Sequence, residues 1–86
     1  MKTRKVILVH APWCGACQPM KAWWFKQEAD GIEFEMMEAE DPALEKSGIC
    51  SLPTILILEG KTEVLRAEGA KSQEQVMETL RQLKWV

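Results

Sequence analysis

The stretch "KVILVHAPWCGAC", Lys5 to Cys17, decides how the chain folds. Lys5 to His10 is a run of apolar, largely β-branched residues, the pattern of a strand buried on both faces. Pro12 breaks that run. From Gly15 to about Ala29 the composition turns helical, with Cys17, Met20, Trp24 and Gln27/Glu28 at helical spacing. This predicts Cys14 at the helix N-cap and Cys17 one turn in. Pro19 falls within the first turn and a half, where its missing N–H costs little beyond a kink. Asp30-Gly31 is the expected helix end.

Beyond that unit, Ile32 to Glu40 opens with the alternation Ile32, Phe34, Met36 and reads as a second strand. Asp41-Pro42 reads as the N-cap and first residue of a short helix closed by Gly48. Thr54 to Leu58 is strand-like, Glu59-Gly60-Lys61 is a tight turn, and Thr62 to Glu68 is a partly alternating strand. Ser72 and Gln75 form a capping box for a last helix, whose Val76, Met77, Leu80 and Leu83 make a core-facing stripe. The order is strand, helix, strand, short helix, strand, strand, helix. The leading strand–helix–strand should be a right-handed parallel unit, and the short Glu59–Lys61 connection forces an antiparallel hairpin. Helices are then expected on both faces of a four-stranded sheet.

The 86 residues contain no repeat or linker and read as a single domain, 1–86, with 47% hydrophobic residues available for a core. A formal net charge of −2 without clustered Lys/Arg argues against nucleic acid or an anionic membrane as partner. No apolar run approaches the ~18–20 residues of a membrane span. The basic N-terminus precedes only Val6 to Val9, shorter than the ~7–15 apolar residues of a secretory signal. Three cysteines, an odd count, make a poor disulfide scaffold. Both features point to the cytoplasm, where a Cys-x-x-Cys is redox-active or metal-binding.

A thiolate at Cys14 would be favoured by the positive end of the helix dipole, and thiolate is the attacking species in disulfide exchange. Cys17 could then attack the mixed disulfide formed by Cys14, releasing reduced substrate and leaving a Cys14–Cys17 disulfide. Gly15 and Ala16 are small enough to let that ring close. Two other readings stay open on the residues alone. One is a pair of structural thiols; the other is a metal module in which Cys14, Cys17, Cys50 and His10 supply ligands suited to tetrahedral zinc.

With "APWCGAC", "GICSLPT" (Gly48 to Thr54) and "EGA" followed by Ser72, the chain resembles the thioredoxin superfamily over nearly its whole length. The resemblance implies a minimal thioredoxin fold, β-α-β-(α)-β-β-α, with a four-stranded mixed sheet of order 2-1-3-4 flanked by helices. It implies catalytic Cys14 and Cys17, a cis Leu52–Pro53 peptide, and a substrate strand that hydrogen-bonds to the Leu52 backbone. Trp13 would form one wall of the docking surface, and Gly69 and Ala70 another. No cofactor beyond the Cys14–Cys17 disulfide and no metal is implied. The implied partners are a disulfide-containing protein substrate and a thioredoxin reductase-like enzyme or glutathione, with the chain itself a monomer. The chain is glutaredoxin-sized, with only Met1 to Arg4 ahead of the first strand. The glutaredoxin Gly-Gly before the last helix is missing at Gly69-Ala70, which favours protein-disulfide reduction over glutathione chemistry.

The sequence also departs from the family pattern. Leu8 stands where thioredoxins bury an Asp, and Met37 is the nearest match to the Lys that pairs with it. Ala16 replaces the usual Pro and Gln18 the usual Lys, so a less reducing pair is expected. Glu68 and Glu40 stand where apolar residues are common, which suggests an acidic-rimmed groove. His10 reads as an uncharged strand-end side chain ahead of a proton shuttle, and Cys50 as a bystander thiol ahead of a regulatory one. Trp23 and Trp24 read as packing residues, Lys21 and Lys26 as solvated helix charges.

Overall fold

The computed structural model describes residues 3–44, 48–49 and 51–86. Its elements run β1 (Arg4–His10), α1 (Cys17–Trp24), β2 (Ile32–Glu38), a 3₁₀ turn (Pro42–Leu44), β3 (Thr54–Glu59), β4 (Thr62–Glu68) and α2 (Gln73–Gln82). The sheet has the order β2-β1-β3-β4. β1 and β2 are parallel, and β1/β3 and β3/β4 are antiparallel. The sheet is thus four-stranded and mixed, the minimal thioredoxin arrangement.

β1 is central, and its apolar run divides by alternation. Val6 and Leu8 join Ile55 and Ile57 beneath Met20 and Trp24 of α1 and Val76 and Leu80 of α2. Ile7 and Val9 face the opposite way, packing with Leu56 and Leu44. Both α-helices therefore share one face. The other is covered, among the described residues, by the 3₁₀ turn and by Ile49 and Leu52, not by a second layer of α-helix. The short Asp41–Leu44 segment forms a single turn, closed by the Leu44 N–H donating to the Asp41 carbonyl at 2.9 Å.

Trp24 anchors the helical face. It is fully buried, its Nε1–H donates to the Glu35 carbonyl of outer strand β2 at 2.7 Å, and its ring meets Phe34 edge-on. Burying the ~150–250 Å² of an indole contributes about 4–6 kcal/mol. Of its neighbours, Trp23 packs against this core and Phe25 is exposed. α1 ends at Trp24, well short of the expected Ala29. At its exit the buried Gln27 donates its side-chain amide to the Trp24 carbonyl at 3.0 Å, capping the last turn. Lys26 and Gln27 N–H groups also bond three residues back, tightening the exit. β2 likewise stops at Glu38 rather than Glu40.

α2 begins as predicted. Ser72 Oγ accepts from the Gln75 N–H and the Gln75 side chain accepts from the Ser72 N–H.

Candidate active site

β1 delivers the chain to the open end of the sheet. The Cys14 N–H donates to the Ala11 carbonyl at 3.0 Å, then Cys17 N–H to Cys14 and Gln18 N–H to Gly15, both at 3.2 Å. These i→i+3 turns lead directly into α1, so Ala16 is the N-cap and Cys17 the first helical residue. Cys14 is therefore one turn ahead of the helix rather than its cap. Pro19 is the third helical residue, where its absent N–H has no intrahelical partner to lose.

A disulfide joins Cys14 to Cys17 across a Cα separation of 5.4 Å, inside the usual range. The Cys14 sulfur is tied to the first residue of α1 and so sits at the positive end of the helix dipole. Cys17 is 0% exposed and Cys14 7%, so Cys14 alone of the two offers any surface to a second molecule. Gly15 and Ala16 are exposed. A Cβ at Gly15 would meet nothing within 4 Å, so glycine is not sterically required there.

Ala11, Cys14 and Cys17 form one buried cluster, and Leu52 packs against it. The Leu52–Pro53 peptide is cis. Two further contacts hold this loop. Thr54, 1% exposed, donates its hydroxyl to the Ser51 carbonyl at 2.5 Å. The Gly69 N–H donates to the Pro53 carbonyl at 2.9 Å, and Gly69 has φ +90°, a backbone that side chains rarely adopt. Gly69 is thus attached to the proline loop, with exposed Ala70 following. Trp13 projects from the same end, 73% exposed. Thr54 was legible only as part of "LPT"; its role as the clasp of the loop needed the fold.

The residues flanking the site divide by strand. Glu68 ends β4 and is exposed. Glu40 follows β2 at the opposite edge of the sheet and lines a cleft of about 510 Å³ with His10, Met36, Glu38 and Asp41. Cys50 lies outside the described residues.

Leu8 is fully buried in the helical face, as the place of the missing Asp requires. Its partner on β2 is Met36, which packs on the same face. Met37, matched to the missing Lys by sequence, is instead the partner of Val9 and packs on the other face. A one-residue register difference reverses the face of a strand side chain. The position remains apolar: among the described residues Leu8 and Met36 stand where the charged pair would lie.

His10 is 8% exposed, and its Nδ1 is buried without a hydrogen-bond partner among the described residues. Burial lowers its pKa from the ordinary 6.5, the Lys21 ammonium lowers it further, and Glu38 opposes both. Lys21, half-buried on α1, thus acts on the imidazole through its charge. Among the described residues no group of three or more His, Cys, Asp or Glu is arranged to hold a metal ion. No helix among them is long and apolar enough to cross a membrane.

A Cys-x-x-Cys disulfide at the start of a helix, with only its first sulfur reaching the surface and a proline loop packed behind it on a mixed sheet, defines the class of thiol–disulfide oxidoreductases of the thioredoxin fold. The family model described as Thioredoxin matches residues 1–82. The chain belongs to the thioredoxin family and is a thiol–disulfide oxidoreductase. Among solved structures it is similar to thioredoxin f2 of Chlamydomonas reinhardtii, with a TM-score of 0.85 and 22% identity over 100% of this chain and 83% of that one. The long form of spinach chloroplast thioredoxin f gives 0.81 and 23%, covering 95% of this chain and 71% of its own. Thioredoxin-2 of the malaria parasite gives 0.80 and 23%, covering 94% and 84%. No curated protein matches the chain.

Proposed function

We propose that the protein reduces disulfides in other proteins, with Cys14 as the attacking thiolate and Cys17 as the resolving thiol. The difference in exposure between the two sulfurs carries this reading: a substrate disulfide can meet Cys14 but not the enclosed Cys17. In the reduced protein, the Cys14 thiolate attacks one sulfur of the substrate disulfide and expels the other as a thiolate. Cys17 then attacks Cys14, closes the Cys14–Cys17 disulfide and releases the second substrate sulfur. Two electrons pass from the dithiol to the substrate.

Trp13, Leu52, Pro53, Gly69 and Ala70 form the docking surface in this reading. Exposed Trp13 offers an apolar wall, and the Leu52 backbone offers hydrogen bonds to an extended substrate segment. Glu40 and Glu68 flank that surface on opposite edges of the sheet and favour a substrate with basic residues beside its disulfide. The protein acts as a cytoplasmic monomer and donates electrons to an enzyme such as ribonucleotide reductase or a peroxide-handling enzyme. A thioredoxin reductase-like flavoenzyme recharges it, and glutathione is the alternative reductant.

Trapping tests this. Cys17→Ser stalls the reaction at the mixed disulfide, and the protein bound to Cys14 identifies the substrate. Reduction of the oxidised protein by thioredoxin reductase is expected to outpace reduction by glutathione with its reductase; the reverse order would transfer the assignment to glutathione-dependent chemistry. Glu68→Gln should change the rate with the trapped substrate by only a few fold, and less at high salt, as for other rim charges. A rate indifferent to both would remove the acidic rim from the account.

A further inference from the structure

Resolution requires the Cys17 thiol to lose a proton in a site where the side chain is fully buried, and burial in apolar surroundings raises a thiol pKa. Leu8 and Met36, behind α1, supply no acceptor. Two residues further along β1, alternation returns His10 to the face of Val6 and Leu8. Its neighbour in register is Glu38 on β2. α1 lies over this face, and Lys21 is near enough for its charge to reach the imidazole. Cys17 precedes Lys21 by four residues, so the two share one side of the helix.

The imidazole is 8% exposed, with Nδ1 enclosed and unpaired. An orphaned buried N–H is rarer in proteins than an under-used acceptor. The proton therefore belongs on Nε2, and Nδ1 presents a bare lone pair to the interior. His10 also lines the 510 Å³ cleft bordered by Glu38, Glu40 and Asp41, an exit to solvent.

We propose that His10 is the proton acceptor for Cys17, taking the thiol proton on Nδ1, directly or through one water, as Cys17 attacks the mixed disulfide. This rests on the assignment of Cys14 as nucleophile and Cys17 as resolver. The step balances as follows. The Cys17 S–H bond breaks and its proton goes to Nδ1; the Cys17–Cys14 bond forms and the Cys14–substrate bond breaks. The departing substrate sulfur keeps the electron pair and takes a proton from the cleft, into which the imidazolium releases its Nε2 proton. Burial and Lys21 from α1 keep the imidazole neutral near pH 7 against the pull of Glu38 from β2, with Glu40 and Asp41 bordering the cleft. Neutral imidazole is the form able to accept.

The test is stopped-flow reaction of the reduced protein with 5,5′-dithiobis(2-nitrobenzoate), with Cys50→Ser carried in every form compared, wild type at His10 included, so that only Cys14 and Cys17 release thionitrobenzoate. The first thionitrobenzoate reports Cys14 attack and serves as internal reference; the second reports resolution by Cys17. Thionitrobenzoate leaves without needing a proton, so the second phase isolates the deprotonation of Cys17. In the wild type that phase should be nearly level from pH 7 to 8 and fall in acid below 6.5 as His10 protonates. In His10→Gln it should be slower by about 10²-fold at pH 7. It should then rise about tenfold per pH unit, as for a thiol ionising unaided. A second phase with the wild-type rate and profile in His10→Gln overturns the proposal. Absence of the first phase in the wild type overturns the Cys14 assignment instead, and the proposal with it. A measurement free of any change at His10 compares its NMR titration in reduced wild type and reduced Cys17→Ala. Different midpoints support contact with Cys17; coincident curves overturn it.

Discussion

The two ends of β1 handle polar groups in opposite ways. At its start, Arg4 meets Glu59 at 3.4 Å and lies 4.9 Å from the Trp85 ring centroid, while Lys5 meets Glu35 at 3.2 Å. These groups are paired, partly exposed, and in contact with water. At its end, His10, Cys14 and Cys17 are buried, and His10 Nδ1 has no partner among the described residues. The same strand thus begins at a surface fence and ends at a reactive site. Charge placed where water screens it contributes about 0–1 kcal/mol; titratable groups taken out of water acquire the shifted proton affinities that chemistry needs.

The sharpest way to break this contrast is to put a charge at the wrong end. Leu8→Asp restores a carboxyl behind the cysteines, but Met36 faces it where a cation would be needed. An uncompensated buried charge should destabilise the fold by about 3–5 kcal/mol at pH 7, and less in acid as the carboxyl protonates. Urea unfolding at both pH values measures it. A loss below 1 kcal/mol would mean that the helical face near α1 is wetter than its burial implies.

The next effect is on the redox couple. Ala16 stands between the cysteines without the restraint of a proline ring, so the open dithiol gains conformational freedom. That stabilises the reduced form, and the midpoint potential should lie above the roughly −270 mV of thioredoxin. Equilibration with glutathione measures it, and Ala16→Pro should move it downward.

A smaller effect follows from His10. Its folded pKa is lowered, so below pH 6.5 the unfolded chain binds more protons than the folded one. Stability is complete above 6.5 and declines as pH falls from there towards the folded value. His10→Gln should flatten that part of the curve. Lys21→Gln should raise the His10 pKa and Glu38→Gln lower it, both read by NMR. At the other end of β1, Arg4→Gln should cost less than about 1 kcal/mol. A larger loss would show that its stacking on Trp85 outweighs its exposure.

Much of this was legible in the sequence because local signals were strong and agreed. The β-branched run of β1, the Ser72–Gln75 capping box and the Glu59–Lys61 turn each have a short-range cause. The losses have long-range ones. α1 stops at Trp24, where Gln27 folds back on its last carbonyl, a contact no periodicity announces. Met37 was matched where Met36 belongs because strand register is set by the partner strand. Among the described residues both α-helices share one face and the short 3₁₀ helix covers the other, a division set by how crossovers pack rather than by which residues are apolar. At the site, Cys14, Cys17 and Pro53 could be read from motifs, whereas the Thr54 clasp and the Gly69 bond to Pro53 appear only when the loops meet.

The most direct measurement is mass mapping of the adduct formed when reduced Cys17→Ser meets a disulfide-bonded protein such as insulin. The account predicts one substrate chain attached through Cys14, stable until dithiothreitol releases it, and no adduct in Cys14→Ser. An adduct through Cys50, or an equal yield from Cys14→Ser, would contradict it.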